Sequence, residues 1–168
     1  IIKNHTKMLP TTSSVPREIA MIKHSKHSSL NIALIQAREA LMTHFRPLLN
    51  EIGLTDQQWR ILRLLAENGT MDFQDLARSA CILRPSLTGI LTRLEKMKLV
   101  VRLRPANDHR RVYLKLTEEG ERTFNDFVGK IDACYDGIEN QLSKEKLEQL
   151  HELLSQMAAI HVATMARM

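Results

Sequence analysis

Apolar residues recur at three- and four-residue intervals over most of this chain, the period of helices with one buried face. Leu30, Leu34, Leu41, Phe45 and Leu48 make the first such stripe, opened by Ser29 as an N-cap and closed before Gly53. Arg38 is its one position that is not apolar, which predicts a guanidinium turned toward the core face. Thr55-Asp56-Gln57-Gln58 is a capping box. The helix it opens carries Trp59, Leu62, Leu65 and Ala66 inward until Asn68-Gly69 stops it. Asp72 starts a short helix with Phe73, Leu76 and Ala77 inward, followed by a turn through Ala80, Cys81 and Ile82. Pro85 then takes a favoured first-turn position. The helix it begins buries Leu87, Ile90, Leu91 and Leu94, leaving Ser86, Gly89, Thr92, Arg93 and Lys96 outward. A helix, a turn and a second helix with a polar, basic outer face is a helix-turn-helix.

After this the period shortens to two. Residues 100–104 (VVRLR) and 112–116 (VYLKL) alternate and are rich in β-formers, and PANDHRR joins them, so they predict a β-hairpin with a basic tip, a wing. Thr117-Glu118-Glu119 caps a long helix striped by Phe124, Phe127, Val128, Ile131, Tyr135 and Ile138, with acids in the turn where the helix dipole favours them. Ser143 opens a last helix striped by Leu147, Leu150, Leu154, Met157 and His161. Helices of this length cannot hide their stripes on a small winged module, so they pack on each other and on a second chain. The fold class expected is mainly α with a small β-hairpin wing. A winged helix-turn-helix DNA-binding domain spans 53–117, and a helical dimerisation region comprises 29–52 and 118–168. Residues 1–28 have scattered Ser, Thr, His, Lys and Pro and no periodic face, and read as a flexible arm or a cloning remnant, with Met21 a candidate start.

Composition removes several function classes. A length of 168 residues, 43% of them hydrophobic and 26% charged, suits one soluble domain. No apolar run approaches the ~18 residues of a membrane-spanning helix. Cys81 and Cys134 form no CxxC pair and no export signal precedes them, which predicts a reducing cytoplasm. Six scattered glycines allow neither a P-loop nor a dinucleotide fingerprint, and no nucleophile elbow or paired-carboxylate site is present, so neither enzyme nor cofactor is expected. Charge changes the picture most. Between Arg84 and Arg111 eight basic residues face two acids, Glu95 and Asp108, a local +6 against +5 for the whole chain. The excess positive charge therefore sits on the helix-turn-helix and wing, as a DNA-binding surface requires.

Base edges are read by side chains near the start of a recognition helix, while basic residues elsewhere neutralise phosphates. Arg84, Ser86, Thr88, Gly89, Thr92 and Arg93 are the groove candidates. Thr and Ser either hydrogen-bond or touch a thymine methyl, and Gly89 serves close approach to DNA or close helix packing. In the wing, Arg110 is the candidate for the minor groove, with Asp108 holding its guanidinium or closing the turn. Arg102, Arg104 and Arg111 are phosphate candidates, while Lys96 and Lys98 are solvated.

The segment DHRRVYLKLTEEG, an Asp-x-Arg followed by Leu-Thr-x-x-Gly, resembles the wing signature of the MarR family of transcriptional regulators, and the resemblance extends over about residues 29–165. Within that family SLNIALIQAREALMTHFRPLL, LTDQQWRILRLLAE and above all CILRPSLTGILTR look closest to the branch that represses homoprotocatechuate catabolism. Lys98 departs from the pattern, standing where many members have glycine. The resemblance implies a homodimer on pseudo-palindromic operator DNA, released when an aromatic carboxylate effector binds between dimer helices and winged module, the effector being homoprotocatechuate (3,4-dihydroxyphenylacetate) or 4-hydroxyphenylacetate. Arg38 then pairs with a carboxylate, such as Glu39 of a second chain, or anchors that anion. Trp59 would supply a flat wall, with Arg63 and His44 beside it and Ser29 and Cys81 at the margin. Two other regulators stay open. A thiol switch would use Cys81, although Ala80 and Ile82 predict a buried, inert thiol there. A metal sensor would need ligand spacing that His24-x-x-His27 and the dispersed remaining histidines do not supply.

Overall fold

The computed structural model describes residues 29–105 and 110–165, with the side chains of 161–165 excepted. Six helices and three short strands follow in the order α1 (Leu30–Glu51), α2 (Asp56–Asn68), β1 (Met71–Asp72), α3 (Phe73–Ser79), α4 (Arg84–Lys96), β2 (Val100–Leu103), β3 (Tyr113–Leu116), α5 (Glu118–Leu142) and α6 (Lys144–Met165). The mainly helical, winged architecture agrees with the periodicity, and most of the expected caps form. Ser29 accepts from the Ile32 amide, and Thr55 and Gln58 complete their box. Asp72 caps α3 through the Gln74 amide, and Thr117 caps α5 through the Gly120 amide. Ser143 sits between α5 and α6 with φ 71°. At α6 the Glu145 carboxyl is held below its usual range by its own backbone first and then by the Ser143 hydroxyl.

Three helices end in the same left-handed turn, in which the residue after the C-cap adopts positive φ and the next amide reaches back five residues. At α1 it is Gly53, with Leu54 N–H donating to the Leu49 carbonyl at 3.0 Å. At α3 it is Cys81 (φ 51°), with Ile82 donating to Ala77 at 3.0 Å. At α4 it is Lys98 (φ 61°), with Leu99 donating to Leu94 at 2.9 Å. Lys98 thus holds a conformation that glycine adopts at no steric cost, which is why a glycine suits this position.

The wing is larger than the hairpin expected. Its sheet has the order β1-β3-β2, all antiparallel, with Met71 opposite Leu114 and Val100 opposite Leu116. Two residues are too few for an alternation to be visible, so β1 left no sequence signal. The register puts Arg102 opposite the buried Leu114, on the inner side of the sheet.

One core fills the space between α1, α2, α3, α4, α5 and the sheet, with Ile61, Leu62, Leu65, Leu76, Leu87, Leu91, Leu94, Leu114 and Ile131 fully buried. Ala66, expected inward, is exposed, and on α1 the stripe meets the core only from Leu41 onward. Leu30, Ile32 and Ile35 of α1 and Leu150, Leu153 and Leu154 of α6 stay exposed. A single chain therefore leaves its outer helical stripes open, as their length predicted.

Candidate nucleic-acid interface and effector site

The recognition helix α4 buries Leu87, Ile90, Leu91 and Leu94, and this fixes the opposite face outward. Arg84, Ser86, Thr88, Gly89, Thr92 and Arg93 all lie on the exposed side. Arg84 is braced against α3, its Nη2 donating to the Gln74 side-chain oxygen at 3.2 Å. Thr88 and Thr92 donate to the carbonyls of Arg84 and Thr88 at 3.3 and 2.9 Å. A Cβ built on Gly89 would meet nothing within 4 Å, so helix packing does not require this glycine. In the wing Arg104, Arg110 and Arg111 are exposed. Arg111 lies 3.7 Å from the Asp72 carboxylate and 5.4 Å over the Tyr113 ring. Arg110 and Arg111 border an open hollow of about 310 Å3 that the start of α3 closes on its other side. Asp108 lies outside the described residues. Arg102, expected on a phosphate, turns to α4 instead: its Nε is 3.0 Å from Glu95 and its Nη2 donates to Thr92 Oγ1 at 3.4 Å. Periodicity in one strand could not show this tie, which depends on the sheet's register against α4.

A second group of predicted residues gathers where α1, α2 and α5 meet. Asp56, Trp59 and Arg63 fall at i, i+3 and i+7 on one side of α2. Trp59 is only 7% exposed, and its ring is not the open wall expected. Phe124 stacks on it at 5.2 Å and Phe127 meets it edge-on at 5.3 Å, so α5 covers it. Arg63 donates to Glu67 at 2.7 Å. Burial works against its charge, but the Glu67 carboxylate outweighs burial, aided by Tyr135 and Asp132 of α5, and holds the guanidinium above its ordinary value.

Arg38 pairs with carboxylates but does not turn toward the core. Its side chain is 49% exposed, and its partners are Glu39 at 3.1 Å and the Asp56 carboxylate, both in its own chain. The long stem lies along the helix while the charged end reaches out to an acid in the first turn of α2, an arrangement open to Arg but to no apolar residue of the stripe. Asp56 also accepts from Arg60 at 2.6 Å, and Arg60 donates to the Ala80 carbonyl at 2.7 Å in the turn before α4. Asp56 is thus a central residue that sequence reasoning assigned only to a cap; its spacing of four from Arg60 was the available signal. Glu39 is held below the usual carboxylate range chiefly by its hydrogen bond from Arg46. His44 is exposed six residues beyond Arg38, on a different side of α1. Ser29 lies about 13 Å along the helix from Arg38, with its hydroxyl engaged as the cap.

Cys81 is exposed, not buried. The left-handed turn sends its neighbours Ala80 and Ile82 into the core and leaves the thiol outside. Cys134 is half-buried on α5, and burial pushes its thiol up. Among the described residues no three His, Cys, Asp or Glu side chains come together as metal ligands, and no helix is long and apolar enough to cross a membrane.

A helix-turn-helix backed by a three-stranded sheet, with a basic wing beside an exposed recognition helix, defines a winged-helix DNA-binding protein. Similar proteins say which. The MarR family model matches residues 54–112. The chain is 65% identical over 143 residues to the HTH-type transcriptional regulator FarR of Neisseria gonorrhoeae, across 85% of this chain and 98% of the relative. It is 54% identical over 134 residues to the homoprotocatechuate degradative operon repressor of Escherichia coli, across 80% and 90%. Among solved structures, NadR in complex with 4-hydroxyphenylacetate matches at TM-score 0.75 and 65% identity, covering 82% of this chain and 98% of that one. The chain belongs to the MarR family; it is a transcriptional regulator, not an enzyme.

Proposed function

We propose that this regulator is a homodimeric, cytoplasmic repressor of an aromatic-acid catabolic operon. It sits on a pseudo-palindromic operator through α4 and the wing, and homoprotocatechuate or 4-hydroxyphenylacetate releases it. The observation that carries the reading is the Arg38–Asp56 pair that ties α1 to the side of α2 bearing Trp59 and Arg63, in a chain 65% identical to a regulator solved with a phenolic carboxylate. The two guanidinium groups of Arg38 and Arg63 suit the carboxylate of such an anion. The exposed stripes of α1 and α6 support a second copy as their cover. Two recognition helices must then sit about one DNA turn apart, and a ligand that favours another spacing shifts the population off the operator.

The test is fluorescence anisotropy of the purified protein on DNA upstream of its neighbouring operon, with non-specific competitor and increasing effector. Tight binding reversed by either compound, and a loss of that reversal in Arg38→Ala, is the expected result. Binding that ignores both compounds overturns the effector assignment and leaves the regulator. A second reading, a thiol switch at Cys81, is favoured by the exposure of that thiol beside α4. Peroxide that leaves DNA binding unchanged removes it.

A further inference from the structure

We infer that α4 reads its DNA through the methyl groups of Thr88 and Thr92, and that the bases these two residues meet are thymines, recognised by their 5-methyl groups. The inference rests on the reading of α4 as the helix that enters the major groove. A threonine offers a groove one proton to donate, lone pairs to accept with, and a methyl group. Here both protons are already committed inside the protein. Thr88 Oγ1 donates to the Arg84 carbonyl at 3.3 Å, and Thr92 Oγ1 donates to the Thr88 carbonyl at 2.9 Å. Neither hydroxyl has a second proton for the acceptors that guanine, adenine and thymine present in the groove.

At Thr92 one of the two lone pairs is occupied as well. Arg102 Nη2 donates to its Oγ1 at 3.4 Å, and Arg102 is itself held 3.0 Å from Glu95. The wing thereby keeps this hydroxyl turned along the helix. Cβ of threonine carries only Oγ1 and Cγ2 as heavy substituents, so a hydroxyl turned onto the helix wall leaves the methyl as the group that faces out. Thr88 and Thr92 stand four residues apart, one above the other on the same exposed face.

Gly89 supplies the independent observation. It sits mid-helix, where glycine is disfavoured, and beyond its chain neighbours and its own helix backbone no protein atom lies within 4 Å of its missing Cβ. The fold gains nothing from a glycine here. What the glycine provides is low relief beside the two threonines, so that a body outside the protein can approach the helix closely. In the major groove thymine alone carries a methyl group, and two outward methyls on a low face complement it better than they complement the polar edges of the other bases. Arg84 and Arg93, exposed at either end of this face, supply charge for the backbone.

The experiment begins with a duplex selected by the full chain from a random pool. Each thymine of the selected site is then replaced in turn by deoxyuridine, which removes only the methyl. At least one such position per half-site is expected to weaken binding about three- to five-fold, the worth of one buried methyl. Thr88→Val, which keeps the methyl and the β-branch, retains affinity within about two-fold. Thr88→Ser and Thr92→Ser lose it and no longer distinguish thymine from uracil. Thr88→Val is the decisive variant, because the Thr88 hydroxyl has only helix backbone as its partner. Serine variants that bind like the original while Thr88→Val weakens binding, or deoxyuridine that is neutral throughout, overturn the inference. Gly89→Gln separates the two layers: if it too leaves affinity for the selected site intact, the groove reading of α4 fails, whereas if it weakens binding while deoxyuridine is neutral, only the thymine assignment fails.

Discussion

At the scale of single residues, the Leu-Thr-x-x-Gly run acquires a physical cause. Thr117 Oγ1 donates to the Lys98 carbonyl and accepts from the Gly120 amide at 3.0 Å, while the Thr117 amide donates to the Leu99 carbonyl at 3.1 Å. A Cβ on Gly120 would lie 2.1 Å from the Leu99 carbonyl oxygen, which is backbone and cannot swing away. Gly120→Ala is therefore expected to destabilise the protein by about 3 kcal/mol, read as a lower midpoint in urea. Lys98 works in the other direction. Its φ of 61° strains a side chain that makes no use of the strain, so Lys98→Gly is expected to stabilise by about 1 kcal/mol in the same melt. The cysteines separate by environment. Alkylation is expected to label Cys81 well before Cys134, whose raised pKa leaves less thiolate at neutral pH and whose rate climbs as pH rises. Mass spectrometry of the labelled peptides reads the order directly.

At the scale of elements, two ties join pieces that periodicity treats as independent. The first runs from Glu95 on α4 to Arg102 on β2 and on to Thr92, and sets the wing against the recognition helix. Both partners are partly exposed, so Arg102→Ala should cost less than about 1 kcal/mol of stability. Its larger expected effect is on specific DNA affinity, because helix and wing must reach their grooves together; anisotropy beside a thermal melt distinguishes the two. The second tie runs from Arg38 on α1 through Asp56 and Arg60 on α2 to the Ala80 carbonyl. Helix limits and caps were legible because each depends on residues within a turn of one another. These ties were not, because they bring together residues on different elements, 10 positions apart in the first and 18 and 20 in the second.

At the scale of the whole molecule, what stands out is apolar surface without a cover. Leu153 is 62% exposed and Ile35 56%, on helices that flank the winged module. Leu153→Asp removes no core contact of the single chain and should leave its helical content intact. It is expected to shift sedimentation toward the monomer and, with the partner lost, to abolish tight operator binding. A dimer that survives the charge would place the interface elsewhere.

Taken alone, the sequence determined the helices, the wing, the concentration of charge on residues 84–111 and the exposed face of α4, because all of these follow from local periodicity and composition. It also carried the family, through a run whose spacing reflects a backbone approach at Gly120 that few residues can satisfy. The tertiary structure decided which charges are engaged and which thiol is open. Arg38 has the position of a core residue and the environment of a surface one, and Arg102 has the opposite history. Cys81 is flanked by buried residues yet points out, because a left-handed turn reverses the chain at that residue. Side-chain partners across elements depend on register and on the reach of long side chains, and neither is written in the period of a single helix or strand.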